Sequence, residues 1–221
     1  MFLTHDNKLK YWRIIFAAIV TVVLCIAGVF WFDVPVQEFL RKFDCRFFHV
    51  LDDVFTVKNW LVVSALVLAV FYIRKSLREK AKCFFCDIFE KIKSSYAFMV
   101  FCSVLFASVF GGILKFIIGR ARPGLYGMFH EPDFLPFAFN LESEFDSMPS
   151  GHTMASFAAL VMIGLLAPRA KWFTWTLAIV IAVSRVAVGR HWPSDVILGA
   201  FIGMVCADLV KSVFGGHTKE K

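Results

Sequence analysis

The stretch YAFMVFCSVLFASVFGGILKFIIGRARP runs from Tyr96 to Pro123. Up to Ile118 its only charge is Lys115. A helix of that length rises about 35 Å, enough to cross about 30 Å of hydrocarbon. Arg120 and Arg122 then join Lys115 ahead of Pro123, which cannot continue the helix. This one run predicts both a membrane span and a cationic patch at its end.

The rest of the chain repeats the pattern. Of its 221 residues 59% are hydrophobic, well above the usual share for a soluble domain, and the mean hydropathy is +0.70. Six segments are expected to span the membrane: Tyr11–Phe32, Trp60–Arg74, Tyr96–Ile118, His152–Ala167, Trp172–Val188 and Ser194–Phe214. The second is short, and its start near Phe55 is an alternative. The first follows basic residues, as a signal peptide would, but lacks a small-residue cleavage site and is read as a retained span. No polar linker or repeat divides the chain. The expectation is an all-α polytopic membrane protein forming a single domain over residues 1–221.

Charge sets the orientation. Of 24 Lys and Arg residues, 15 fall in the tail before the first span, the loops after the second and fourth, and the C-terminal end. That side is expected to be cytoplasmic, with both termini on it. The loops after spans one, three and five then face outward, which in a bacterial inner membrane is the periplasm. The net charge of +7 is accounted for by this topology and by a basic site, so no nucleic acid partner is implied. Cys45 is the only cysteine in an outward loop, so no disulfide is expected there. Cys83 and Cys86 form CFFC in a cytoplasmic loop without the two further ligands a zinc site needs. No metal or cofactor is expected.

Two stretches have helical apolar spacing with charges between. DVPVQEFLRKFDCRFFHVLDDVF (33–55) and SLREKAKCFFCDIFEKIK (76–93) read as interfacial helices that belt the bundle. The outward segment from Gly119 to Gly151 is the longest loop, with four prolines and many aromatics.

Polar groups near a bilayer are costly and tend to mark function. Three clusters fall on the same predicted face. Lys115 and Arg122 are seven residues apart, two turns on one helix face, although cations at a span end also serve as interfacial anchors. Pro149, Ser150, Gly151 and His152 open the fourth span. Ser150 is a good N-cap, Gly151 admits close approach, and a helix N-terminus receives anions; an ordinary cap beside a chance histidine is the alternative. The third cluster is SRVAVGRHWPSD, with Arg185, Arg190, His191 and Asp195. Pro193 suits a first helical turn, which puts Asp195 near a helix start, where its carboxylate could hold an imidazole by Nδ1–H and leave Nε2 as a nucleophile or base. Together the clusters suit a tetrahedral anion that gains charge in its transition state.

At these residues the chain resembles the type 2 phosphatidic acid phosphatase (PAP2) superfamily. The family signature is Lys, six residues, Arg-Pro; then Pro-Ser-Gly-His; then Ser-Arg, five residues, His, three residues, Asp. Here these are Lys115 to Arg122-Pro123, Pro149 to His152, and Ser184-Arg185 to His191 and Asp195, in that order. The resemblance implies a helical PAP2/haloperoxidase-like core and a metal-independent phosphatase. It implies that His191 attacks phosphorus to form a phosphohistidine, Asp195 orients His191, and His152 protonates the leaving oxygen. Lys115, Arg122, Ser150, Gly151 and Arg185 would cradle the phosphoryl oxygens. Vanadium haloperoxidases share such a pocket but are soluble.

Arg120 and Arg190 lie outside the signature and are expected either to contact a second phosphate or neighbouring headgroup, or to anchor at the interface. A site at the outer span ends suits a membrane lipid phosphate or diphosphate. The family suggests undecaprenyl diphosphate, lipid A phosphates, phosphatidylglycerol phosphate or phosphatidic acid. Lipid-to-lipid phosphotransfer, and lipid binding or transport without catalysis, are the alternatives. Oligomeric state does not follow from the sequence.

Overall fold

A computed structural model describes residues 2–4, 6–78, 95–125, 134–137 and 143–215, with residues 75–78 described by their backbone. The CFFC pair and nearly all of the second amphipathic stretch lie outside the described residues, as do 126–133 and 138–142 of the long loop. Among the described residues the structure is helical, with isolated bridges at Leu3–Leu9 and Arg120–Phe134.

The described residues form eight α-helices. They are α1 (Tyr11–Ala27), α2 (Asp33–Arg41), α3 (Arg46–Val54), α4 (Val57–Arg78), α5 (Tyr96–Ile118), α6 (Gly151–Leu166), α7 (Lys171–Ala187) and α8 (Pro193–Phe214). A π-helical turn, Gly28–Phe32, joins α1 to α2. The first span therefore does not end at Phe32 but runs on to Arg41. Of the expected outer belt, only α3 is a separate helix. The second span also exceeds its expected limits, starting at Val57 rather than Trp60.

Among the described residues, five helices are long and apolar enough to cross a membrane: Tyr11–Arg41, Val57–Arg74, Tyr96–Ile118, Pro168–Ala187 and Pro193–Phe214. The fourth expected span, α6, has 16 residues and is not among them. Twelve of them are buried, so α6 is the axis of the bundle and faces protein rather than lipid. Its inward faces carry Met154, Phe157, Leu160 and Val161, packed among α5, α7 and α8. Small residues let α8 approach α6 closely. A Cβ on Gly199 would lie 2.8 Å from the Ser150 carbonyl oxygen, and one on Gly203 would lie 2.5 Å from that of Met154. Two glycines four apart on one face admit such close backbone contact. By contrast, α1 and α4 turn Ile15, Phe16, Ile19, Val63, Leu66 and Val70 outward, as a lipid-facing surface requires.

Candidate active site

The bundle brings the ends of α5 and α7 to the starts of α6 and α8. Gly119, in the left-handed conformation, ends α5. The loop beyond it is stitched back to that end. Arg122 N–H donates to the Glu144 carbonyl (2.9 Å), Ser147 N–H to that of Arg120 (3.0 Å), and the Trp192 indole N–H to that of Ala121 (3.0 Å). At the centre of the cluster, Ser150 N–H donates to the Asp195 carbonyl (3.0 Å), which joins the second signature segment to the third.

His191 lies just before α8 and is 2% exposed. Its Nδ1 is 2.8 Å from the Ser147 carbonyl oxygen. A carbonyl can only accept, so Nδ1 carries the proton and Nε2 keeps its lone pair. The expected partner was Asp195, but its nearest oxygen is 3.7 Å from Nδ1, beyond hydrogen-bond reach. The Asp195 carboxylate instead accepts from the Ser147 hydroxyl (2.5 Å) and from Trp192 N–H (2.8 Å), both on Oδ2. It thus fixes the two backbone segments that hold the ring. A backbone carbonyl filled the place expected for a side chain, and backbone position is invisible in a signature. Burial, with the Arg185 and Arg122 charges, pushes the His191 imidazole down to about 3, against a smaller upward pull from Asp195. His191 is therefore neutral near pH 7, as a nitrogen nucleophile must be.

Among the expected cations, Arg185 and Arg122 act on this ring. Lys115 Nζ donates to the Asp146 carbonyl (2.6 Å) and lies 4.0 Å from its carboxylate. Arg185, buried at the end of α7, pairs with Asp52. The charges of Lys115, Arg122 and Arg190 all act on His152, and Arg190, exposed at its position, also acts on Arg122 and Arg185. Burial pulls the Arg122 guanidinium somewhat down from its usual range. Ser150 is the N-cap of α6 and is fully buried, but its hydroxyl does not cap the helix. It accepts instead from the Thr153 hydroxyl (3.0 Å). The first-turn N–H groups of α6 then project from the helix end, where anions bind. A Cβ on Gly151 would come within 3.2 Å of Val57, so the backbone there is also closely packed.

Arg120 departs from expectation. It is 4% exposed, and its guanidinium donates to Asp195 (2.7 Å), Ser194 (2.6 Å) and Asp33 (2.7 Å). It also stacks over the Phe134 and Trp192 rings. Both terminal nitrogens are committed to protein groups, so the guanidinium points inward instead of toward a second phosphate or headgroup, while its Nε has no hydrogen-bond partner. Its side chain turned inward because two buried carboxylates lie there. Neither carboxylate's pairing with it could be read from the spacing.

Three residues of the site escaped the sequence reading. Asp33 follows the first apolar run and is 2% exposed. Asp52 belongs to α3, within the stretch that reads as an outer belt; its carboxylate pairs with Arg185 and lies 3.7 Å from His152 Nε2. Ser147 stands two residues before Pro149. The available signal was a carboxylate on an otherwise apolar stretch, which is costly unless paired.

Comparison with known proteins places these features in context. The profile of the PAP2 superfamily matches residues 95–219. A lipid A 1-phosphatase from Rhizobium johnstonii is 32% identical, covering 88% of this chain and 78% of its own length. One from Rhizobium etli is 33% identical over 78% of this chain and 72% of its own. The crystal structure of a transmembrane PAP2-type phosphatidylglycerolphosphate phosphatase from Bacillus subtilis superposes with a TM-score of 0.58 at 17% identity. It covers 95% of this chain and 100% of that one, a likeness of fold.

Proposed function

The chain belongs to the PAP2 superfamily, and from this we propose that it hydrolyses a membrane lipid phosphate through a phosphohistidine on His191. The observation that carries the reading is His191 itself: a buried, neutral imidazole whose Nδ1–H is engaged and on which the Arg185 and Arg122 charges act. The His191 Nε2 lone pair attacks phosphorus, and the bond from phosphorus to the lipid oxygen breaks. His152 gives that oxygen its proton. A water then attacks the phosphohistidine, His152 takes a proton from it, the P–N bond breaks, and inorganic phosphate leaves. An incoming phosphate dianion offsets the surrounding cations and so favours the protonated His152 that the first step needs.

Lys115, Arg122, Arg185, Ser150 and Gly151, with the α6 N-terminus, would hold the non-bridging oxygens as charge builds on them. Arg190 is exposed at the rim and would meet a second phosphate or a neighbouring headgroup. Residues 1–221 act as one domain in this reading, because helices before the matched region contribute Asp33 and Asp52. The cluster joins helix ends on the side opposite most of the Lys and Arg residues, which supports an outward, periplasmic site with cytoplasmic termini in a bacterial inner membrane.

The rhizobial relatives make a lipid A-type 1-phosphate the first substrate to try. Phosphate release should be measured in detergent against lipid A, undecaprenyl diphosphate, phosphatidylglycerol phosphate and phosphatidic acid. Wild type should release phosphate from at least one, and His191→Ala from none. Undiminished turnover by His191→Ala would refute the mechanism.

A further inference from the structure

A buried chain of charges stands behind His191, and part of it comes from outside the matched region. Asp33 begins α2, immediately after the π-turn Gly28–Phe32. π-Turns recur at functional positions because they rotate the residues that follow. Here the turn carries Asp33 inward against the start of α8. Asp33 accepts from Ser194 N–H (2.9 Å) and from the Ser194 hydroxyl (2.5 Å), so it closes the first turn of α8 from another helix. A Cβ on Gly28 would lie 2.8 Å from Ser194 Cβ, which shows how closely the first span is seated there.

Arg120 completes the chain. One guanidinium nitrogen donates to Asp195 Oδ1 and the Ser194 hydroxyl, and the other to Asp33 Oδ2. The second Asp195 oxygen holds Ser147 and Trp192, which flank and anchor the His191 ring. Both carboxylate oxygens of Asp195 are thus committed within this chain of contacts. The fork of Arg120 suits this role because it is planar and bidentate, whereas an ammonium would reach one carboxylate at a time.

We propose that Asp33 and Arg120 are positioning residues for phosphoryl transfer, which through Asp195 set the direction in which His191 presents Nε2. The proposal rests on the reading of His191 as nucleophile. Removing the Arg120 charge alone leaves two buried carboxylates without their cation and threatens folding. The informative variant is therefore the charge-neutral pair Asp33→Asn with Arg120→Gln, with Arg120→Lys as a second, milder change.

The test uses the full chain in detergent with ³²P-labelled lipid phosphate. Thermal midpoint, KM and the single-turnover rate of acid-labile labelling are measured on the same samples. Wild type should label and His191→Ala should not; failure of wild type to label defeats the nucleophile reading and the proposal with it. In a labelling enzyme, the double variant should keep its KM within about twofold while labelling slows about 100-fold, as loss of groups that orient a reacting residue does. Arg120→Lys should lie between. Labelling at the wild-type rate by a folded double variant or by Arg120→Lys overturns the proposal. So does a loss confined to KM, or one that only follows a lowered thermal midpoint.

Discussion

The α6–α8 crossing can be tested with a single methyl group. In Gly203→Ala the new Cβ would stand 2.5 Å from the Met154 carbonyl oxygen, 2.7 Å from Phe157 Cβ and 2.9 Å from the Ala158 nitrogen. Ordinary contacts need about 3.5 Å, so the helices must separate by about 1 Å. Two of the three obstacles are backbone atoms, which cannot rotate away. Such over-packing costs about 1–3 kcal/mol, which for a chain of this size lowers the thermal midpoint by about 2–10 °C. The functional effect should be larger. The Ser150 N–H to Asp195 carbonyl bond and the Ser147 carbonyl to His191 bond both link α6's entry to the start of α8. A shift of about 1 Å between them should reduce turnover on the order of 100-fold. Gly112→Ala is the internal control. A Cβ there meets nothing within 4 Å, on the exposed side of α5, and alanine is the better helix former. Its midpoint should be equal to wild type or slightly higher, with activity unchanged. Thermal unfolding in detergent and phosphate release from the same preparations give both quantities. The packing argument fails if Gly203→Ala melts and turns over like wild type, or if Gly112→Ala loses as much.

Other predictions address charge. His191 is neutral when folded down to about pH 3 but titrates near 6.5 when unfolded. The unfolded chain thus binds the extra proton between those values, so the stability this residue permits is present above about 6.5 and declines as pH falls toward 3. Comparing wild type with His191→Gln, the difference in thermal midpoint should move against wild type as pH drops from 7 to 4; a constant difference would contradict it. Asp52 pairs with Arg185, one of the cations proposed to hold phosphate. Asp52→Asn should therefore strengthen inhibition by inorganic phosphate several-fold, and unchanged or weaker inhibition would show that Asp52 does not compete for it.

Much was legible along the chain, because it depends on local composition. Apolar runs long enough to leave water must become helices that satisfy their own backbone, so the helical membrane character was set by the residues themselves. The residues proposed to handle phosphate stand out as candidates for a related reason. His152, His191, Asp195 and the cations are expensive near lipid, and their chemistry depends on side-chain type. Span limits were less so: nothing in the composition near Phe32 marks a π-turn that carries the first helix on to Arg41.

Tertiary structure decided who partners whom. A signature spells Asp195 four residues from His191, yet Ser147, from another segment, supplies the carbonyl that fixes the ring. Arg120 looks like one more cation beside Arg122, yet it turns inward and bridges Asp33 and Asp195. Asp33 and Asp52 lie in stretches that read as surface belt, and only the packing of the first three helices against α7 and α8 brings them to the site. Hydrogen bonds depend on angles and on distances of a few tenths of an ångström. Those are fixed where helices cross, at contacts such as Gly203 against Met154, between residues far apart in sequence.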